Sequence, residues 1–224
     1  ITGEKGEKVV YKPAPSHVAK HLRATPPANN PLPPCQRLVR SPVMGADGAV
    51  IYQTGYCPDS ELYLASDVDP GAVPDQPTAD DAKRAADWLM TELFSDFPFE
   101  ADSDRAHALA LLLLPFAREM IPGPTPLHVV DKPEHGTGAS LLADVCALPF
   151  TGAEAPKESA PERGGDDEWR KKLTTALMQA PAFLVIDNVA ETLDSPSLAS
   201  VLTATTWSDR KLGGNERAEL PVRC

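Results

Sequence analysis

The segment Asp131-Lys-Pro133-Glu-His135-Gly136-Thr137-Gly138-Ala139-Ser140 places two glycines and a hydroxyl between a short apolar stretch and a helical run. Glycines at such a junction let backbone N–H groups close around a phosphate at a helix N-terminus. The usual spacing for that chemistry is G-x-x-x-x-G-K-[ST]. Gly138 and Ser140 keep the last glycine and the hydroxyl, but Pro133 stands at the first glycine and Ala139 at the lysine. A second feature lies 47 residues beyond Ser140, where the apolar run Phe183-Leu-Val-Ile ends in Asp187. A carboxylate at the end of a strand, paired with a loop hydroxyl, holds Mg²⁺ beside a bound phosphate. The expected site therefore has Gly136, Thr137, Gly138, Ala139 and Ser140 around the phosphates of a nucleotide, and Ser140 with Asp187 around Mg²⁺. Asn188 follows where it can orient a water; an amide can hydrogen-bond that water but cannot take its proton. The competing interpretation is plainer: two glycines shaping a turn, and an aspartate capping the next one.

The missing lysine removes a charge-assisted hydrogen bond worth about 1.5–3 kcal/mol, or roughly 10- to 150-fold in affinity. Lys132 lies seven residues before Ala139, too early to replace it. Arg210 is the candidate source of positive charge, in cis or from a neighbouring subunit, with a surface ion pair as the alternative. Glu191 is a weaker substitute for a water-activating acid, and His135 can face either phosphate or solvent. His17 and His21 have helical ligand spacing but no acidic third ligand nearby. Trp169, Trp207 and Cys146 read as packing residues.

Positioning the loop and the acid requires a strand before the loop, a helix after it and a second buried strand. Leu127-His-Val-Val130 is the expected first strand, residues 141–147 continue the loop helix, and residues 183–187 form the second strand. Residues 151–167 read as a surface loop, and 168–179 as an amphipathic helix placing Trp169, Leu173, Ala176 and Leu177 together. Ser195 is placed to cap a further helix running through Thr206. Strand, glycine loop, helix and second strand give an α/β fold with a parallel sheet, a P-loop NTPase core over residues 123–224. Before it, residues 78–122 form a helical segment. There Thr78-Ala-Asp-Asp81 resembles a capping box opening a helix to about Phe94. A second helix, near 104–120, is apolar almost all round, contains Pro115 and is expected to be buried. Residues 37–77 form a small β unit with a tight turn at Gly45-Ala-Asp-Gly48. Residues 1–36 hold seven prolines and read as an extended basic arm.

Four stretches carry a resemblance: Gly136-Thr-Gly-Ala-Ser-Leu-Leu-Ala143, Asp167-Glu-Trp-Arg-Lys-Lys172, Val185-Ile-Asp-Asn-Val189 and Thr205-Thr-Trp-Ser-Asp-Arg-Lys-Leu-Gly213. Together with Phe97-Pro-Phe and the run 101–118, they resemble ATP-binding proteins of phages and integrated mobile elements. Those are the helicase-like ATPase regions that accompany primase–polymerase modules, and the similarity extends over residues 40–224. It implies ATP and Mg²⁺ as cofactors, a role in DNA replication, and a homo-oligomer in the full-length protein. It also implies a sensor strand beyond Cys224, so the chain, which starts at Ile1, reads as part of a longer polypeptide with the core cut short. Two other functions fit the residues: a non-hydrolysing nucleotide-binding or assembly module, and a nucleic-acid adaptor working through the basic arm.

Composition narrows the class. The 224 residues include 24 prolines, which exclude a long coiled coil, and four cysteines without a CxxC pair, which argue against a zinc ribbon or disulfide scaffold. The net charge of −11 is uneven: residues 1–40 carry seven basic side chains against Glu4 and Glu7. The acidic remainder repels polyanions except where a local basic face reverses the field. The longest apolar run, 106–117, is too short to span a bilayer, and no signal peptide is expected before it. A cytoplasmic protein without a membrane segment is expected.

Overall fold

In a computed structural model of the chain, the described residues are 14–66, 71, 74, 76–132, 134, 136–161, 165–190, 192–210 and 217–224. Pro133, His135, Glu191 and residues 211–216 lie outside them, so the expectations placed on His135 and Glu191 do too. Among the described residues the fold is mixed α/β, with small sheets packed among helices.

The arm departs from an extended connector, because Ser16–Ala24 form helix α1 with no buried residue. Strands β1 (Arg37–Val39) and β5 (Leu62–Leu64) pair parallel, and β4 (Gly55–Cys57) adds antiparallel to β5. Between them β2 (Val43–Met44) and β3 (Val50–Ile51) form the hairpin expected around Gly45 to Gly48. Helix α2 (Ala79–Trp88) begins with the expected capping box: Thr78 Oγ1 accepts from the Asp81 N–H, and Asp81 accepts from the Thr78 N–H at 2.9 Å. A π turn carries it on to Leu93.

Helix α3 (Asp102–Ala117) accommodates Pro115, but it is not buried all round: only Ala108, Leu112 and Pro115 are fully covered. These three recur at i, i+4 and i+7, one face of a helix, and that face packs on α4 (Ala139–Thr151). The contact is closed by Phe116 and Phe150, whose rings stack edge-on 5.1 Å apart.

The main correction concerns the sheet. Leu127, His128, Val129 and Val130 form no strand, and Val129 is 76% exposed. Prolines at 122, 124 and 126 remove backbone donors just before it. Instead, β6 (Lys157–Ser159), within the expected surface loop, pairs parallel with β7 (Val185–Asp187). This two-stranded sheet is the only wholly parallel one among the described residues. Helix α5 (Gly165–Leu177) buries Trp169, Leu173, Ala176 and Leu177 as its periodicity requires. Helix α6 (Pro196–Thr203) ends before Thr206, which instead opens β8 (Thr206–Arg210), antiparallel to β9 (Arg217–Pro221).

Two cores result. The first joins the β1–β5 unit, α3 and α4, with Phe94 and Cys146 at its centre. Burial there pushes the Cys146 thiol up to about 12, so it behaves as a small apolar residue. The second joins α5, α6 and the β8–β9 hairpin through Trp169, Leu173, Leu198 and Trp207. The segment leading into and through β7 runs between them. Phe183 and Val185 pack on the first core while Leu184 and Ile186 pack on the second. That alternation is the period of a strand covered on both faces.

Candidate functional site

The alternation along β7 decides where its terminal acid goes. Asp187 lies two residues after Val185, on the face turned toward α4. There the Ser140 hydroxyl, in the first turn of α4, donates to Asp187 Oδ2 at 3.0 Å. The other carboxylate oxygen accepts the Asn188 N–H at 2.8 Å. The two groups expected to share a metal are thus in contact across 47 residues of sequence.

The loop geometry follows from its glycines. Gly136 and Gly138 have φ of +86° and +92°, conformations that a side chain disfavours. A Cβ on Gly136 would meet nothing within 4 Å, and one on Gly138 only Phe97 Cε1 at 3.8 Å. The space beside both glycine α-carbons is therefore free of close contacts. Phe97 belongs to a cluster with Phe94 and Phe99, ring centroids 6.1–6.2 Å apart, which backs the loop from the first core. Gly138 is the N-cap of α4, and its carbonyl accepts the Leu142 N–H at 2.8 Å. The Thr137 hydroxyl donates to the Glu134 carbonyl at 3.1 Å, turning it back on the loop. Ala139 is half-buried and brings no charge.

Asn188 is exposed with φ of +54°, a left-handed conformation that asparagine tolerates. Lys157 and Asp144 complete the surroundings, and the sequence reasoning missed both. Asp144 lies one turn along α4 from Ser140 and binds Lys157 Nζ at 2.6 Å through each carboxylate oxygen. The Asp144 hydrogen bond raises the Lys157 pKa, and the charge of Asp187 adds to that shift. Lys157 therefore contributes positive charge near the pair while remaining committed to Asp144.

Compared with known proteins, the chain matches no protein family, no curated protein and no solved structure.

A serine hydroxyl and an aspartate carboxylate are hard oxygen donors suited to Mg²⁺. With the positive-φ glycines Gly136 and Gly138 beside them, they suit a metal–phosphate pair. The fit is weakest at Ala139, whose side chain brings no cation to the lysine position of the loop. Within this chain Arg210 lines a cavity with Arg170, Ser208, Asp209 and Arg217, to which no described loop residue contributes. The histidines His17 and His21 both sit on α1, and no group of three metal-ligating side chains occurs among the described residues.

Proposed function

We propose that this chain is a Mg²⁺-dependent ATP-binding domain with a degenerate phosphate loop, belonging to a DNA replication protein of a mobile element. The observation that carries it is the 3.0 Å hydrogen bond from Ser140 to Asp187, which joins the N-terminus of α4 to the C-terminal end of the half-buried strand β7. The backbone of Gly136 to Ser140 would hold phosphate oxygens, with the α4 N-terminus adding its partial positive charge. Ser140 and Asp187 would hold the metal, which when bound neutralises phosphate charge. The assignment to a replication protein rests on the resemblance of the four sequence stretches.

Binding without efficient turnover is favoured over an active ATPase. Ala139 supplies no cation, and Asn188 is an amide where a base is needed. Calorimetric titration of ATP, paired with an assay of released phosphate, tests the proposal. Weak, Mg²⁺-dependent binding with background hydrolysis is expected. No heat at millimolar ATP would overturn the binding proposal, and brisk turnover would overturn the claim of lost hydrolysis.

A further inference from the structure

The β8–β9 hairpin carries an arrangement that the nucleotide site does not use. Arg210 and Arg217 are direct cross-strand partners in the antiparallel register. Like charges facing each other across a strand pair destabilise it. No carboxylate of a described residue lies within 4.0 Å of either guanidinium. Glu219, opposite Ser208, does not reach them. Asp209, the acid among the described residues that line the cavity, is already engaged. It accepts Arg170 Nη1 at 2.6 Å, the Thr174 hydroxyl at 2.7 Å and the Arg210 backbone N–H at 2.7 Å. Burial pushes the Asp209 pKa up, but these hydrogen bonds and the Arg170 charge outweigh it and hold the group ionised below its usual range.

Three arginines and one engaged carboxylate, with Ser208, line a cavity of about 400 Å³. In a chain of net charge −11 this is a local reversal of field. We propose that the cavity between β8, β9 and α5 is a binding site for phosphate oxyanions. Arg210 and Arg217 grip the ligand, and Arg170 is fixed beside them by Asp209. Guanidinium forks match phosphate oxygens bidentately, and a bound dianion removes the Arg210–Arg217 repulsion. The Ser208 hydroxyl offers a further donor. The phosphate can belong to a free nucleotide or to the backbone of a single nucleic-acid strand.

A built-in reporter reads this site separately from the loop. Trp207 Nε1–H donates to Thr174 Oγ1 at 2.9 Å, and Thr174 bonds Asp209. The indole resonance of Trp207 in ¹⁵N-labelled chain, assigned with Trp207→Phe, should therefore move as inorganic pyrophosphate is added. The same shift is then followed with a short single-stranded DNA oligonucleotide. In Arg210→Ala/Arg217→Ala, whose changes lie on exposed positions, both affinities should fall roughly ten-fold or more, with the Trp88 and Trp169 resonances unchanged. Tighter binding of the oligonucleotide, weakened steeply by salt, assigns the phosphate to nucleic acid. Binding of pyrophosphate alone assigns it to a free phosphate compound. A Trp207 resonance that moves with neither probe, or moves equally in the double variant, overturns the proposal. The result does not depend on the loop, because Ser140→Ala should leave the Trp207 response intact.

Discussion

Ser140 Oγ and Asp187 Oδ2 are 3.0 Å apart, and the hydrogen bond between them fixes the first turn of α4 against the end of β7. Among the described residues neither group has a basic partner of its own: Asp187 is bonded by a hydroxyl and a backbone amide, not by a cation. A carboxylate held this way keeps lone pairs and charge for a metal. An aspartate that merely capped a turn would need only the Asn188 amide.

The loop register can be tested by restoring its cation. Ala139→Lys should tighten ATP binding about ten-fold or more, one charge-assisted hydrogen bond by the usual arithmetic. Because Ala139 is half-buried, the competing outcome is also clear. A lower melting temperature with unchanged affinity would mean that the side chain points into packing rather than toward phosphate.

A polar clamp ties α5 to the start of α6 in the second core. Ser195 caps α6 by accepting the Leu198 N–H at 3.1 Å, and Asp166 accepts from the Ser195 and Ser197 hydroxyls at 2.6 and 2.7 Å. Ser195→Ala should cost about 1 kcal/mol, the usual loss for an N-cap, read as a shift in urea midpoint without a change in slope. The Ser195 and Ser197 hydroxyls also hold the Asp166 carboxyl below its ordinary value. Its stabilisation is thus present above that value and lost as pH falls through the folded one.

A separate pH effect comes from His128. Burial, with the charge of His107 adding to it, depresses the imidazole below its ordinary 6.5. The folded protein binds this proton less readily than the unfolded chain. The stability contributed by the neutral ring is present above 6.5 and falls as pH drops through the folded value. Urea unfolding at several pH values across that interval should show this loss, and His128→Gln should flatten it. An unchanged pH profile in the variant would assign the loss to other groups.

Much of the second core was legible because its signals are local. Trp169, Leu173, Ala176 and Leu177 lie at helical spacing, and Ser195 precedes a run that needs a cap. Asp187 was legible because an acid ends an apolar strand. Strand β6 was not, since Lys157-Glu158-Ser159 is exposed throughout and carries no apolar period. Only its pairing with β7 makes it a strand. Leu127 to Val130 gave the opposite error: their apolar character suggests a buried strand, but prolines precede them and β6 takes an edge of β7. The Arg170–Asp209 and Asp144–Lys157 pairs join different elements, 39 and 13 residues apart, and no spacing rule announces them.

The central claim is that Ser140 and Asp187 form a metal–phosphate site, and one calorimetric comparison tests it most directly. ATP is titrated into the wild-type chain, Ser140→Ala and Asp187→Asn, each with and without Mg²⁺. The wild type should bind more tightly with Mg²⁺, and both variants should lose that increment while keeping the wild-type far-ultraviolet circular dichroism. Equal ATP affinity with and without Mg²⁺ in the wild type, or a Mg²⁺ increment that survives in Asp187→Asn, would contradict the claim.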